Sequence, residues 1–177
     1  MNATIKKELI SKNEIEKRVK ELGEKITADY KGKDLVIIGI LKGSVIFMCD
    51  LIRSIDMDFE IDFMSASSYS GTHSLGELKI KKDIDIDIKD KHVILVEDII
   101  DTGLTLSKIK ELFKQRDAAS VKICVFLDKV DTRKEDMAVD CDYVGFSVPN
   151  EFVIGYGLDY DEFYRGLPYI GVLELDK

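Results

Sequence analysis

Glu97, Asp98 and Asp101 stand just ahead of Thr102, Gly103, Leu104 and Thr105 in the string VILVEDIIDTGLTL at 93–106. An apolar run that ends in two adjacent acids reads as a buried strand carrying carboxylates to its C-terminal end. In a parallel sheet that is the side where ligands bind. The Thr-Gly turn then opens a helical pattern, and backbone N–H groups at a helix start, together with two threonine hydroxyls, suit a phosphate. Paired acids suit ribose hydroxyls or a hydrated Mg²⁺, which takes one or two carboxylates and completes its shell with substrate oxygens. A plainer reading makes Asp101 and Thr102 helix caps and leaves Glu97 and Asp98 solvated at a strand end. The capping turn alone fits that reading; the complete string, placed after a buried strand, favours a ligand site. It contains neither GxxxxGK[ST] nor GxGxxG, which sets P-loop and dinucleotide chemistry aside.

Other chemistry has little material to work with. His73 and His92 are the only histidines, so a histidine-rich metal site is excluded. His92 opens an apolar strand pattern and reads as structural, whereas His73 lies in a polar stretch and reads as solvated. Cys49, Cys124 and Cys141 are scattered and odd in number, which argues against a disulfide framework or a structural zinc site. Each lies in an apolar stretch and is expected to be a small buried hydrophobe. The run 83–88 resembles the start of a calcium loop, but isoleucines stand at 88 and 94 where such a loop needs glycine and glutamate. Alternating isoleucines beside a solvated acidic face are expected there instead.

The elements that must position these residues follow from periodicity. Ser11 and Glu14 have capping-box spacing, and Ile15, Val19, Leu22, Ile26 and Tyr30 recur at helical intervals up to Gly32. LVIIGI at 35–40 is a continuous apolar run, the kind buried on both faces of a parallel sheet. A turn at 41–44 and a helix to about 54 follow, then strands at 59–65 and 78–82. Between these two strands SASSYSGTHSLG is small, polar and glycine-containing, and predicts a functional loop over 65–76. Strands are expected at 92–97 and 121–127 around a helix at 102–116, with shorter strands at 143–148, 152–154 and 169–173. Strands alternating with helices over 177 residues predict one α/β domain spanning 1–177, with a mostly parallel twisted sheet flanked by helices.

VEDIIDTGLTL resembles the signature of type I phosphoribosyltransferases, with wording closest to the hypoxanthine-guanine members, and the resemblance runs in matching order over nearly the whole chain. Leu41-Lys42-Gly43-Ser44 resembles the family's pyrophosphate loop, and Ser67-Ser68-Tyr69-Ser70-Gly71 its lid. Lys129, the stretch Phe152-Val153-Ile154-Gly155-Tyr156, Leu158-Asp159-Tyr160 and Arg165 resemble its base-binding and closing segments. The resemblance implies the type I fold with a small hood and a lid at about 65–76. It implies that Glu97 and Asp98 bind ribose hydroxyls directly or through Mg²⁺, and that Asp159 helps hold a second Mg²⁺ beside the purine. Asp101 would take the N7 proton of the purine as general base. Thr102, Gly103, Leu104 and Thr105 would hold the 5′-phosphate, and Lys129 would donate to O6. Phe152 would stack on the base while backbone groups near Val153 read its edge. Leu41, Lys42, Gly43 and Arg165 would bind pyrophosphate, and Ser68 and Tyr69 would close the lid. A cis peptide is implied at Leu41-Lys42. The tract 130–133 lacks the proline common after the family's lysine, which implies a local loop difference.

The activity implied is transfer of phosphoribosyl from phosphoribosyl pyrophosphate to a 6-oxopurine, with Mg²⁺ as cofactor. A relative preferring xanthine is a second reading, since Lys129 and Phe152 do not separate the oxopurines. A nucleotide-sensing regulator that binds nucleic acid is a third. The net charge of −8 and the absence of a basic patch speak against it. No apolar run approaches the ~20 residues of a membrane helix, and no stretch resembles a signal peptide. A cytoplasmic protein with no membrane or nucleic-acid partner is expected, and the family implies a homodimer or homotetramer.

Overall fold

The computed structural model describes residues 3–71, 74–129 and 139–175. In chain order its elements are β1 (Ala3–Ile10), α1 (Lys12–Tyr30), β2 (Leu35–Ile40), α2 (Val45–Arg53), β3 (Glu60–Gly71) and β4 (Ser74–Lys82). Then come β5 (His92–Ile100), α3 (Leu104–Gln115), β6 (Ser120–Asp128), β7 (Tyr143–Ser147), β8 (Val153–Ile154) and β9 (Ile170–Leu175). Strands β4-β3-β2-β5-β6-β7 form one sheet, parallel except at the β3–β4 edge. A smaller antiparallel sheet, β1-β9-β8, forms the hood.

The continuous apolar strands are explained by burial on both faces. Leu35, Ile37, Ile94, Val96, Cys124 and Phe126 point into one layer with α1, α2 and the hood. Their alternates Val36, Ile38, Val93, Leu95, Ile123 and Val125 point into the other, where Leu106, Ile109 and Phe113 of α3 cover them. The Ser11 hydroxyl accepts from the Glu14 amide, and Glu14 in turn accepts from the Ser11 amide, so the capping box starts α1 where the spacing places it. Parallel strands bring their C-terminal ends to one edge, and Ile100 pairs with Asp128 there.

Several expectations need correction. The stretch 65–76 is not an open loop among the described residues. Ser65 to Gly71 continue β3 and Ser74 onward forms β4, an antiparallel pairing that gives the small polar residues backbone partners. Residues 72 and 73, and so His73, lie outside the described residues, as do the side chains of Ser68 and Tyr69 and the tract 130–138. Helix α3 starts at Leu104, not 102, because Gly103 takes a left-handed φ of 76° as its N-cap. Cys49 is exposed, since Phe47, Met48 and Leu51 occupy the buried face of α2; Cys141 is half-buried and Cys124 buried. Strand β1 was not expected: two lysines interrupt its pattern, and it is held by pairing with β9. In the 83–88 run the isoleucines do pack on the second core layer. Asp83, however, is clasped by Arg116 through bonds of 2.9 and 2.6 Å.

Candidate active site

The loop after β2 carries the first part of the site. Its Leu41-Lys42 peptide is cis. The Leu41 amide donates to the Met64 carbonyl at 2.8 Å, and the Ser44 hydroxyl donates to the Ile40 carbonyl at 2.6 Å. Gly43 lies against β5 so closely that a β-carbon there would sit 1.7 Å from Oδ2 of Asp98. On its other side Gly157 approaches, where a β-carbon would lie 2.1 Å from the Gly43 carbonyl oxygen. The pyrophosphate-type loop is thus clamped between an acid of the main sheet and a turn leading out of the hood.

The acids of β5 supply the second part. Burial, and then the hydrogen bond and charge of Asp98, push the Glu97 carboxyl well above its ordinary range. Among the described residues neither Glu97 nor Asp98 pairs with a lysine or arginine, so the two acids have no counter-charge of their own. A cation fits that donor set. No group of three or more metal-ligating side chains occurs among the described residues. Beyond the acids, Asp101 and Thr102 are exposed in a turn, and the glycine cap brings no side chain of its own to the first N–H groups of α3. Glu97, Ile99, the turn 100–106, Ile40, Leu41 and Ala66 enclose a cleft of about 280 Å³. A larger groove of about 510 Å³ lies at the opposite ends of β2 and β3, lined by Gly32–Leu35 and Met57–Glu60. It holds none of the candidate residues.

The third part is the chain returning from the hood. Arg165 donates to the Gly157 carbonyl at 2.8 Å and pairs with Asp159 at 2.8 Å and with Glu162 at 3.1 Å. Lys42 reaches across from the loop after β2 to Glu162 at 2.7 Å. These two cations hold the Glu162 carboxyl below the usual carboxylate range, Lys42 contributing most. Lys129 is anchored by its amide to the Ile100 carbonyl at 3.1 Å, which places it beside the 101–106 turn. Phe152 presents an exposed ring edge-on to Tyr160 at 5.6 Å, and Val153 is buried against β9.

The structure therefore joins Leu41, Glu97 and the 101–105 turn in one cleft, ties Gly43 to Asp98, and gathers Lys42, Asp159 and Arg165 in one ion cluster. Phe152 and Val153 sit apart on the hood, linked to the cluster through Tyr160. Sequence reasoning missed Glu162, whose spacing from Arg165 was its only signal. It also missed the bond from the Tyr156 hydroxyl to Asp50 at 2.7 Å, which fastens the 155–157 turn to α2.

Comparison with known proteins identifies the family and agrees with the fold. The phosphoribosyl transferase domain matches residues 7–161. The hypoxanthine-guanine phosphoribosyltransferase of Streptococcus pneumoniae (strain ATCC BAA-255 / R6) is 54% identical over 171 residues, covering 96% of this chain and 94% of that protein. The enzyme of the same name from Bacillus subtilis (strain 168) is 53% identical over 175 residues, 98% and 96% of the two chains. A crystal structure of a hypoxanthine phosphoribosyltransferase from Staphylococcus aureus superimposes with a TM-score of 0.91 at 50% identity, covering 96% and 92%. A lysine-to-arginine mutant of the Trypanosoma cruzi hypoxanthine phosphoribosyltransferase, solved as a ternary substrates complex, gives 0.90 at 40% identity and 96% of both chains.

Proposed function

Because the chain belongs to the phosphoribosyltransferase family, among its hypoxanthine-guanine members, we propose that the strand-end cleft binds phosphoribosyl pyrophosphate beside a 6-oxopurine. The enzyme is a pentosyltransferase of purine salvage. It joins C1′ of the ribose to N9 of hypoxanthine or guanine and releases pyrophosphate, giving IMP or GMP. The observation that carries this reading is the convergence of the 41–43 loop, the Glu97–Asp98 pair and the 101–106 turn at one edge of the sheet.

Each part has a role its chemistry allows. The 102–105 turn holds the 5′-phosphate through backbone N–H groups at the start of α3 and the hydroxyls of Thr102 and Thr105. Glu97 and Asp98 take the ribose hydroxyls, directly or by holding Mg²⁺, and Asp159 would help hold a second Mg²⁺; the bound ions would neutralise charge on the pyrophosphate. Lys42, the loop amides near Gly43 and Arg165 receive the pyrophosphate as its bond to C1′ breaks. Asp101 accepts the N7 proton as the bond from N9 to C1′ forms. Lys129 donates to O6, and Phe152 stacks on the base. Most of the catalysis is positioning, stabilisation of the departing charge and exclusion of water by the 65–76 arm.

No helix among the described residues is long and apolar enough to cross a membrane. A cytoplasmic location and a homodimer or homotetramer are part of the same proposal and rest on the family alone. The test is nucleotide formation from hypoxanthine, guanine, xanthine and adenine in parallel, with phosphoribosyl pyrophosphate and Mg²⁺. Hypoxanthine and guanine are converted and adenine is not, since its 6-amino group cannot accept from Lys129. Conversion of xanthine alone would move the specificity. Conversion of none would leave only a nucleotide sensor, and salt-sensitive retention of structured RNA on filters would then identify a regulator.

A further inference from the structure

One carboxylate occupies the cations assigned to pyrophosphate. Glu162 places one oxygen 2.7 Å from the Lys42 ammonium and the other 3.1 Å from the Arg165 guanidinium, bridging the loop after β2 and the chain returning from the hood. Its backbone is tightly specified. Asp161, Glu162 and Tyr164 all have positive φ, 51°, 67° and 72°, a region that side-chain-bearing residues disfavour and that persists where surrounding structure imposes it. The turn is closed by hydrogen bonds between Tyr160 and Phe163 in both directions, 3.2 and 3.0 Å, and by the Glu162 amide donating to Asp159 at 2.9 Å. The contact is nevertheless open to solvent: the side chains of Lys42 and Glu162 are 65% and 63% exposed. An arriving anion can reach both cations.

We propose that Glu162 is an internal competitor for pyrophosphate, bridging Lys42 and Arg165 and giving both up when the diphosphate binds. This rests on the reading of Lys42 and Arg165 as pyrophosphate-binding residues. The carboxylate draws together two cations that lie on separate segments. Its return competes with the product and speeds pyrophosphate release. Burial of such a contact would make it an obstacle; exposure keeps it weak and exchangeable.

The experiment titrates inorganic pyrophosphate with Mg²⁺ into the full chain by calorimetry and follows inhibition of IMP formation by pyrophosphate in parallel. Glu162→Gln keeps the size and a hydrogen-bond acceptor while removing the charge, and Glu162→Ala removes the group. Both bind pyrophosphate about threefold to tenfold more tightly than wild type, the effect expected of losing two exposed ion pairs. The KM for phosphoribosyl pyrophosphate falls with it, and the KM for hypoxanthine does not change. Asp161→Asn is the control for charge alone, because that exposed neighbouring acid contacts neither cation among the described residues. Unchanged or weaker binding in the Glu162 variants overturns the competitor role, as does equal tightening by Asp161→Asn. A wild-type protein that forms IMP and binds pyrophosphate while the Glu162 variants bind no tighter overturns that role alone. A wild type that does neither overturns the proposed function and the competitor role with it.

Discussion

Replacing Gly43 with alanine separates an enzyme whose β2 loop and β5 acids form one site from one in which they merely lie nearby. The added β-carbon would sit 1.7 Å from Oδ2 of Asp98 and 2.4 Å from its Cγ. Ordinary contact between such atoms begins at roughly 3.3 Å, so the carboxylate must retreat by about 1.6 Å. Gly43 lies outside the left-handed region, so its backbone does not oppose the alanine. The cheapest relief is rotation of the Asp98 side chain away from its preferred position, costing about 0.5–1.5 kcal/mol. In a domain of this size that lowers the melting temperature by only about 2–4 °C per kcal/mol. Catalysis suffers far more, because misplacing a positioning group by about 1 Å costs on the order of a hundredfold. Initial rates of IMP formation should therefore fall about a hundredfold in kcat/KM while the thermal melt hardly moves. A double-mutant cycle sharpens the test: with Asp98→Ala already present the clash is gone, and adding Gly43→Ala should cost little further. Wild-type kcat/KM in Gly43→Ala, or losses that multiply in the double variant, would refute the coupling of loop and acid.

Lys129→Ala should raise the KM for hypoxanthine about tenfold to a hundredfold, the loss of a charged hydrogen bond to O6, and leave the KM for phosphoribosyl pyrophosphate alone; steady-state kinetics in both substrates checks it. The hydrogen bond from Arg116 is the main cause that lowers the Asp83 carboxyl in the folded protein. Its stabilisation is therefore present above the unfolded aspartate value of about 3.9 and is lost as pH falls through the lower folded value. Arg116→Ala should cost up to about 1 kcal/mol at neutral pH in urea unfolding, and the gap to wild type should close in acid; a gap that persists there contradicts the ion-pair account. Tyr156→Phe removes the 2.7 Å bond to Asp50 and should cost about 1–2 kcal/mol in the same assay; no loss would mean that this bond does not hold the 155–157 turn.

How much of this was legible in the sequence depended on whether the signal was local. LVIIGI marks β2 to the residue because burial on both faces demands an unbroken apolar run. Ser11 and Glu14 mark the start of α1 because a capping box is complete within four residues. Gly103 deceived the helix boundary, since a left-handed glycine starts the helix two residues later than the hydrophobic period suggests. Strand β1 was invisible because its support is β9, more than a hundred and fifty positions away. The polar 65–76 stretch reads as loop by composition, and only the β3–β4 ladder reveals an extended arm. That Glu97 and the 101–105 turn line one cleft was legible because they are contiguous in the chain. Glu162 was not, because its partner Lys42 meets it only after the hood folds back over the loop following β2.

If the 101–105 turn holds substrate with Asp101 at the base, the rate of IMP formation from hypoxanthine and phosphoribosyl pyrophosphate in the wild type and in Asp101→Asn tests it most directly. The wild type should turn over steadily and the variant should lose about 10²–10⁴ in kcat, the range for a removed general base, with an unchanged KM for phosphoribosyl pyrophosphate. A wild type that makes no IMP, or an Asp101→Asn variant that makes it at full rate, would contradict it.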